Sequence, residues 1–561
     1  MIPRLVLCSQ ALRNNCVFST CAKVLQRPWT RHPGSPTATR CIHVDSPPVV
    51  PTLTTSYVHG TSSTSLLHTT VGESLLRTVE RWPDQQAMAF LQDGVRKTFA
   101  QFQQDVDQAA AGLLALGLQK GDRLGMWGPN TYEWILMQFA TAKAGIILVS
   151  VNPAYQLQEV EFALRKVGCK AIVCPTQFKT QKYCDMLRKI CPEIESSAPG
   201  DIRSARCYQG TTGAPKGATL THHNIVNNSY FIGIRVGYSW KHHIACIPVP
   251  LYHCFGSVGA GMCMAVHGLS LVFPSAGYDG RANLAAIESE RCSFIYGTPT
   301  MYVDMINQPD LAKYDLSSAE AGIMAGSPCP PELMRKIVSV MGIKGMTIGY
   351  GTTENSPVTF LGSPTDNMER KSETVGFICD HIEAKIVDPS TGELLPLGTM
   401  GEILIRGYCV MPEYWGDEAK TQECITKEGW YKTGDIGRMD GFGYCRIEGR
   451  IKDMIIRGGE NIYPAEIEQF LHTHPKVKEA QVVGVEDARM GEEVCACIKL
   501  IDGEECTVEE IKAYCKGQIA HFKIPRYILF VTSYPLTITG KIQKHKLRIE
   551  AEQQLGLKKE K

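Results

Sequence analysis

The chain has 561 residues, which is more than one ordinary domain needs, so we expect a large core and a second unit. Its 58 Lys and Arg residues are balanced by 57 Asp and Glu residues, so the chain is almost neutral. Net charge therefore gives no reason to expect binding to nucleic acid or to an anionic membrane surface. The 22 cysteines are scattered through apolar sequence without a C-x-x-C pair, so we interpret them as reduced core residues rather than as disulfides or zinc ligands.

The first 44 residues carry six Lys or Arg residues but no Asp or Glu. An acid-free, basic leader with Ser and Thr is typical of a mitochondrial transit peptide, whereas a disordered basic tail is the plainer alternative. We therefore predict a transit peptide over residues 1–45, cleaved between Arg31 and Asp45, and a protein of the mitochondrial matrix. Residues 46–70 are rich in Pro, Ser and Thr and are interpreted as a linker.

Regular alternation begins after this linker. Apolar residues at 106, 109, 110 and 113 recur at helical spacing, and strands predicted at 124–127, 146–151 and 171–174 alternate with helices at 132–144 and 157–167. Such alternation predicts βαβ units and a mostly parallel sheet covered on both faces. The apolar stretch 246–266 contains Pro248, Pro250 and three glycines, so it predicts buried α/β structure rather than a membrane span.

The octet Gly-Thr-Thr-Gly-Ala-Pro-Lys-Gly at 210–217 has the composition of an anion-binding loop. Glycines let the backbone approach an anion closely, Thr hydroxyls add donors, and Lys216 adds a mobile positive charge. It is not a Walker loop, because Pro215 precedes the Lys and Gly217 follows it. In isolation, an ordinary Gly/Thr surface turn would be the simpler interpretation.

Three further blocks are individually weak. Tyr-Gly-Thr-Thr-Glu at 350–354 alone predicts a helix N-terminus with Thr as the cap. Tyr-Lys-Thr-Gly-Asp at 431–435 predicts a strand that runs into a Gly-Asp turn. Thr-Gly-Lys-Ile at 539–542 predicts a solvated turn.

The pattern changes after Gly449. Strands predicted at 477–485, 494–500 and 527–531, with a helix at 508–518, indicate a compact α+β unit, and we place the boundary at 449–452. The Gly-rich stretch Ile455-Ile-Arg-Gly-Gly-Glu-Asn461 predicts either a strand followed by a loop or a hairpin.

Five blocks together, at 210–217, 350–354, 431–435, 449–453 and 539–542, resemble the adenylate-forming (AMP-binding) acyl-CoA synthetase superfamily in sequence and in order. Each match is weak, but five in order are hard to obtain by chance. The resemblance covers residues 74–547. The stretch 454–466 and the basic leader most resemble the mitochondrial medium-chain members of the superfamily.

The resemblance implies a large α/β N-terminal domain with mostly parallel sheets over residues 46–449 and a small, mobile α+β C-terminal domain over 450–561. It implies a ligase that uses ATP, CoA and Mg²⁺ to convert a fatty acid, through an acyl-adenylate, into acyl-CoA, AMP and pyrophosphate. It implies no nucleic-acid partner and no transmembrane segment, and it leaves the length of the acyl chain and the oligomeric state open.

The resemblance also assigns roles to residues of this chain. The catalytic residues are Lys541, Thr353 and Glu354, of which Glu354 also holds the metal. ATP is bound by Gln209, Gly210, Thr211, Thr212, Gly213, Ala214, Pro215, Lys216, Asp435, Arg450 and Lys541. The hinge is Lys452, the CoA channel is lined by Gly458 and Gly459, and the acyl and adenine pocket by His253, Gly326, Ser327 and Tyr350.

The chain departs from the superfamily just before the phosphate loop. The superfamily places a Ser/Thr pair there, at the end of an apolar strand, whereas this chain has Cys207-Tyr208-Gln209 after a charged stretch. Relatives have several tens more residues at 203–208, so a weakly active or inactive splice form stays an alternative. An adenylation module that loads a carrier protein is a second alternative. It is disfavoured because the sequence up to Lys561 contains no Ser-bearing carrier domain.

Overall fold

The computed structural model describes residues 50–196, 216–458, 460–537 and 541–557. The strands are β1 Tyr57–His59, β2 Gln86–Phe90, β3 Val95–Thr98, β4 Arg123–Trp127, β5 Ile147–Val151, β6 Ala171–Val173, β7 Ile244–Cys246, β8 Ser270–Phe273, β9 Phe294–Gly297, β10 Ala321–Met324, β11 Gly345–Gly351, β12 Val358–Leu361, β13 Phe377–Ile378, β14 Ile382–Val387, β15 Gly401–Gly407, β16 Tyr431–Met439, β17 Cys445–Arg450, β18 Ile455–Arg457, β19 Glu460–Ile462, β20 Val477–Asp487, β21 Gly491–Leu500 and β22 Tyr527–Phe530.

The α-helices are α1 Val71–Arg81, α2 Phe99–Ala115, α3 Tyr132–Ala144, α4 Leu157–Lys166, α5 Tyr183–Ile190, α6 His222–Val236, α7 Cys254–Gly256, α8 Cys263–His267, α9 Gly280–Ser289, α10 Pro299–Ile306, α11 Pro331–Lys336, α12 Met368–Glu373, α13 Glu418–Cys424, α14 Pro464–Leu471, α15 Val508–Cys515 and α16 Lys544–Gln554. Short 3₁₀ turns at Thr353–Asn355 and Ile451–Asp453 lie within two of the sequence blocks.

The largest sheet has nine strands in the order β13-β12-β11-β10-β9-β7-β8-β2-β3. The six strands from β11 to β2 pair in parallel, and the outer strands β13, β12 and β3 are antiparallel. The strands predicted near 124, 146 and 171 form a separate parallel sheet, β5-β4-β6. The predicted α/β class with mostly parallel sheets is therefore confirmed.

Helix boundaries in this part follow local signals. The predicted helix 132–144 matches α3, which ends where Gly145 adopts a φ of +73°. Helix α2 begins at a capping box. The Thr98 side chain accepts a hydrogen bond from the Gln101 backbone N–H, and the Gln101 side chain accepts one from the Thr98 backbone N–H.

A third sheet, β1-β14-β15-β16-β17, is antiparallel throughout and was not predicted. For the 431–435 block, the plainer alternative was a strand that runs into a Gly-Asp turn, whereas β16 continues to Met439. The strand is irregular at this point, because Gly434 adopts a φ of +68° and the pairing with β15 shifts register between Glu402 and Leu404.

The C-terminal sheet has the order β19-β18-β21-β20, with β22 on β21. The stretch at 455–461 forms a hairpin, since β18 and β19 pair antiparallel. Along β21, Cys495 and Cys497 pack into one apolar cluster and Ala496 into another. The expectation of buried cysteines is confirmed here, because both faces of this strand are covered.

The apolar stretch 246–266 is confirmed as buried α/β structure, with α7, a π-helical segment and α8 following β7. Gly233 of α6 has no Cβ where the His267 imidazole packs, and a Cβ there would lie 2.2 Å from Nε2. Within the described ranges, the longest apolar helices fall short of what is needed to cross a membrane.

Candidate active site

A buried carboxylate lies at the pairing of β16 and β17. Asp435 is directly opposite Arg450 in the register of these strands, and the Arg450 Nε atom lies 2.8 Å from Oδ1. From the end of β11, the Tyr350 hydroxyl donates to Oδ2 at 2.6 Å. Each oxygen has a second lone pair, so the carboxylate can accept two more hydrogen bonds, such as those of vicinal hydroxyls.

The electrostatics of this carboxylate are set by opposing causes. Burial raises the pKa of Asp435, since only 3% of the residue is exposed, and the neighbouring Arg450, Tyr350 and Lys541 favour the ionised form. Burial and the adjacent carboxylate raise the pKa of Tyr350, which keeps its phenol protonated as a donor.

Lys541 brings the C-terminal end of the chain to this carboxylate. The fields of Arg450, Asp435, Lys452 and Asp453 all act on its ammonium. Desolvation by the groups around the ammonium, together with the two cations Arg450 and Lys452, lowers the pKa of Lys541. Lys541 is nevertheless exposed to solvent, and water that reaches the ammonium reduces this effect. A positive charge near Asp435 and Arg450 of the antiparallel sheet is thus supplied from about a hundred residues further along the chain.

The block at 350–354 forms a turn against the start of α7. A 3₁₀ turn begins at Thr353, and the Thr352 side chain that precedes it makes no cap hydrogen bond, so the block is not the capped helix start that it would predict in isolation. Instead, the Thr353 hydroxyl lies 3.4 Å from the Sγ of Cys254. His253 caps its own helix, because its Nδ1 accepts a hydrogen bond from the Phe255 backbone at 3.1 Å.

Lys541 also acts on this part of the site. The pKa of His253 is raised: burial lowers it, the neighbouring Cys254 raises it by more, and Lys541 opposes the rise. The pKa of Cys254 is lowered: burial raises it, but its interactions with His253 and Thr353 outweigh burial. Residues of the predicted pocket and of the C-terminal block therefore share one electrostatic environment.

Glu354 is held by the segment that follows β15. Its Oε1 accepts a hydrogen bond from the Tyr414 hydroxyl at 2.6 Å, and its backbone oxygen accepts one from the Met411 N–H at 2.8 Å. The Tyr414 ring in turn lies 5.1 Å from the Lys216 ammonium. The sequence analysis missed Tyr414, since an aromatic residue after an apolar strand usually packs in a core and carries no further signal.

The residues present fit Mg²⁺. This ion prefers oxygen ligands and is commonly held by one or two carboxylates together with substrate phosphates. In the described part of the chain, no group of three His, Cys, Asp or Glu side chains could hold a metal alone. A Mg²⁺ ion at Glu354 would therefore need further oxygen ligands from a bound nucleotide.

The pocket loops meet at one edge of the large sheet. β9, β10 and β11 are parallel neighbours, so the loops after their carboxyl ends lie side by side. Gly326, after β10, has a φ of +93°, and a Cβ added to it would lie 3.6 Å from the Thr298 side chain after β9. Ser327 follows Gly326 in this loop and is partly buried, and Tyr350 ends β11.

The remaining predicted residues lie elsewhere or outside the described ranges. Lys452 is exposed on the 3₁₀ turn between β17 and β18. Gly458, with a φ of +57°, donates its N–H to the Met490 oxygen at 2.8 Å within the C-terminal sheet. Three sets of predicted residues lie outside the described ranges: those of the expected transit peptide at 1–45, Gln209 to Pro215 of the phosphate loop, and Gly459, Thr539 and Gly540.

The sequence profile of the AMP-binding enzyme family matches residues 75–203 and 210–415, and that of the AMP-binding enzyme C-terminal domain matches 466–541. The first match covers more than half of the chain, so this protein belongs to the AMP-binding enzyme family. The interruption between 203 and 210 coincides with the departure predicted before the phosphate loop.

Similar proteins extend the match over nearly the whole chain. The Danio rerio protein named medium-chain acyl-CoA ligase ACSF2, mitochondrial, is 65% identical and aligns with 97% of this chain and 98% of its own length. The human protein of the same name is 52% identical over 90% of this chain and 91% of its own. The first alignment spans 598 positions, more than this chain has residues, so at some of them this chain has none.

Solved structures share the architecture. ATP-bound MatB from Rhodopseudomonas palustris is 26% identical with a TM-score of 0.77, covering 87% of this chain and 100% of that one. The anthranilate CoA ligase AuaEII, in complex with anthranoyl-AMP, is 25% identical with a TM-score of 0.75, covering 87% and 98%. The adenylate-forming fold predicted from the five blocks is confirmed.

Proposed function

We propose that this chain is a mitochondrial medium-chain fatty acid–CoA ligase that works through an acyl-adenylate in the matrix. The observation that carries the proposal is the convergence of Asp435, Arg450 and Lys541 beside the Thr353–Glu354 turn. Ligases of this name are similar over almost all of the chain. The comparisons give no support to the weakly active or inactive form considered from the sequence.

In the first half-reaction, a fatty acid carboxylate attacks the α-phosphorus of ATP. Asp435 accepts hydrogen bonds from the ribose hydroxyls, and Arg450 beside it supports the same contact. The loop 210–217 holds the departing pyrophosphate, and Lys541 stabilises the charge that develops on the carboxylate and phosphate oxygens. When bound at Glu354, Mg²⁺ neutralises phosphate charge.

Thr353 lies beside Glu354, and its hydroxyl is suited to contact a phosphate of the ATP that Glu354 helps to bind through Mg²⁺. His253, Gly326, Ser327 and Tyr350 surround the acyl and adenine groups. Gly326 in the loop after β10 and Tyr350 near the end of β11 lie at the same edge of the parallel strands, which is where α/β folds bind nucleotides.

In the second half-reaction, residues 450–561 rotate as a small domain about Lys452 relative to residues 46–449. The rotation withdraws Lys541 and brings Gly458 and Gly459 to the acyl-adenylate, where they guide the CoA thiol. One cleft then serves two reactions in turn, as hinge motion permits. The exposed position of Lys452 between β17 and β18 supports this assignment, since few contacts restrain it.

The test uses the purified 561-residue chain with ATP, Mg²⁺, CoA and saturated fatty acids of four to sixteen carbons. Formation of AMP and acyl-CoA with a maximum at medium chain lengths is the expected result. Fatty-acid-dependent ATP–pyrophosphate exchange without CoA reports the first half-reaction separately. Absence of exchange with every acid would refute the proposal.

The location is tested by peptide mapping of the endogenous protein from mitochondrial fractions. An N-terminal peptide of the mature protein that begins between Arg31 and Asp45 is expected in matrix fractions. Intact peptides from residues 1–40 in that fraction would contradict cleavage.

A further inference from the structure

Tyr414 lies between two elements of the site and contacts both. Its hydroxyl donates to Glu354 Oε1 at 2.6 Å, and the Lys216 ammonium lies 5.1 Å from its ring centroid. Only 2% of the residue is exposed, although Glu354 is half-buried and Lys216 is exposed. We propose that Tyr414 is a positioning residue for magnesium-bound ATP, which holds the Glu354 carboxylate and the Lys216 ammonium in place.

This inference rests on the proposed function and adds a residue to it. The backbone around Tyr414 is tied to the same two elements. On one side the Met411 N–H donates to the Glu354 oxygen at 2.8 Å, and on the other the Trp415 N–H donates to the Gly217 oxygen at 2.7 Å. Tyr414 also forms an isolated β-bridge with Ala218. Tyr414 therefore cannot shift without displacing the end of the phosphate loop or the metal carboxylate.

The hydroxyl is suited to a permanent donor role. A tyrosine hydroxyl ordinarily has a pKa of about 10, so the phenol is protonated at physiological pH and can donate to Glu354. One carboxylate oxygen is then always engaged, which restricts the rotation of the carboxylate. Hydrogen-bonding partners of metal ligands act in this way, and their loss costs about 10- to 100-fold in metal affinity or activity.

The ring contributes separately from the hydroxyl. A cation near an aromatic face gains about 0.5–1 kcal/mol at an exposed site. Lys216 is the first residue of the phosphate loop that the structure describes, and this contact favours one position of its ammonium. Substitution by Phe removes only the hydroxyl, whereas substitution by Leu removes both contacts.

The chain offers a closely matched control away from the site. The Tyr444 hydroxyl donates to Asp366 Oδ1 at 2.6 Å, and the Arg370 guanidinium lies 4.2 Å from the Tyr444 ring. Tyr444 is also 2% exposed. Tyr444→Phe thus removes the same kind of hydrogen bond from an equally buried tyrosine, and it reports what the loss costs in stability alone.

The experiment compares the wild type, Tyr414→Phe, Tyr414→Leu and Tyr444→Phe as full chains. Calorimetry measures the binding of a non-hydrolysable ATP analogue with Mg²⁺ and with EDTA, and pyrophosphate exchange is titrated with Mg²⁺. For Tyr414→Phe we expect unchanged metal-free binding, about a tenfold smaller gain in affinity on adding Mg²⁺, and about a tenfold higher half-maximal Mg²⁺ concentration. Saturating Mg²⁺ should restore exchange in Tyr414→Phe but not in Tyr414→Leu.

A wild-type response to Mg²⁺ in Tyr414→Phe would overturn the inference, as would an equal shift in Tyr444→Phe. If the wild type itself exchanges no pyrophosphate with any fatty acid, the proposed function fails instead. The calorimetric response to Mg²⁺ then still decides the role of Tyr414.

Discussion

Asp435→Asn is expected to weaken ATP binding strongly with a smaller effect on folding. Asp435 Oδ1 already pairs with Arg450 and Oδ2 accepts from Tyr350. An amide has one oxygen and one NH₂ donor, so in either orientation the NH₂ faces one of these two donors. Only one oxygen then remains as an acceptor for the two ribose hydroxyls.

The magnitude follows from the bonds lost. A hydrogen bond to a charged group contributes about 1.5–3 kcal/mol, so losing one ribose contact weakens ATP binding about 10- to 150-fold. The cost in stability should stay below the ~3–5 kcal/mol of a fully buried broken pair, since the Arg450 side chain is 38% exposed and water can solvate it.

The assay is calorimetric ATP binding, with urea unfolding in parallel. Asp380→Asn is the matched control, because Asp380 forms a buried ion pair with Arg235 at 3.3 Å outside the cleft. The control should lose stability and keep its ATP affinity. Wild-type affinity in Asp435→Asn, or equal losses of affinity in both variants, would refute the ribose contact.

Lys541→Ala should lower pyrophosphate exchange about 100- to 1,000-fold with ATP binding nearly intact, since its charge acts where the transition state develops charge; a variant that retains exchange would exclude this role. The pKa of Lys541 is lowered by burial and by Arg450 and Lys452, so the rate of pyrophosphate exchange should begin to fall at a less alkaline pH than the pKa of an ordinary lysine would set. In Lys541→Arg this alkaline decrease in rate should move to higher pH. Lys452→Pro should impair thioester formation more than exchange, and equal losses in the two half-reactions would count against rotation. Burial lowers the pKa of His267 to about 4, so below pH 6.5 the unfolded chain binds a proton that the folded chain does not. The free energy of unfolding should then fall by roughly 2 kcal/mol between pH 6.5 and 5. Urea unfolding at the two pH values measures this loss, which should be smaller in His267→Gln.

The local sequence determined which segments are helices and strands and which short blocks carry chemistry. Helix α3 and strands β4, β6, β20 and β22 lie within a few residues of their predicted bounds, because periodicity and chain breakers act locally. The blocks around Glu354 and Asp435 were found because their residue types and order are recognisable without coordinates.

Tertiary structure alone decided how those segments pair and which side chains meet. The antiparallel sheet was missed because a strand pattern does not specify its neighbours, and its pairing carries β16 to Met439 and places Asp435 opposite Arg450. Tyr414 was missed for the same reason, since its hydroxyl reaches a carboxylate 60 residues away along the chain. Contacts of that range depend on the packing of whole elements, which no local window of sequence contains.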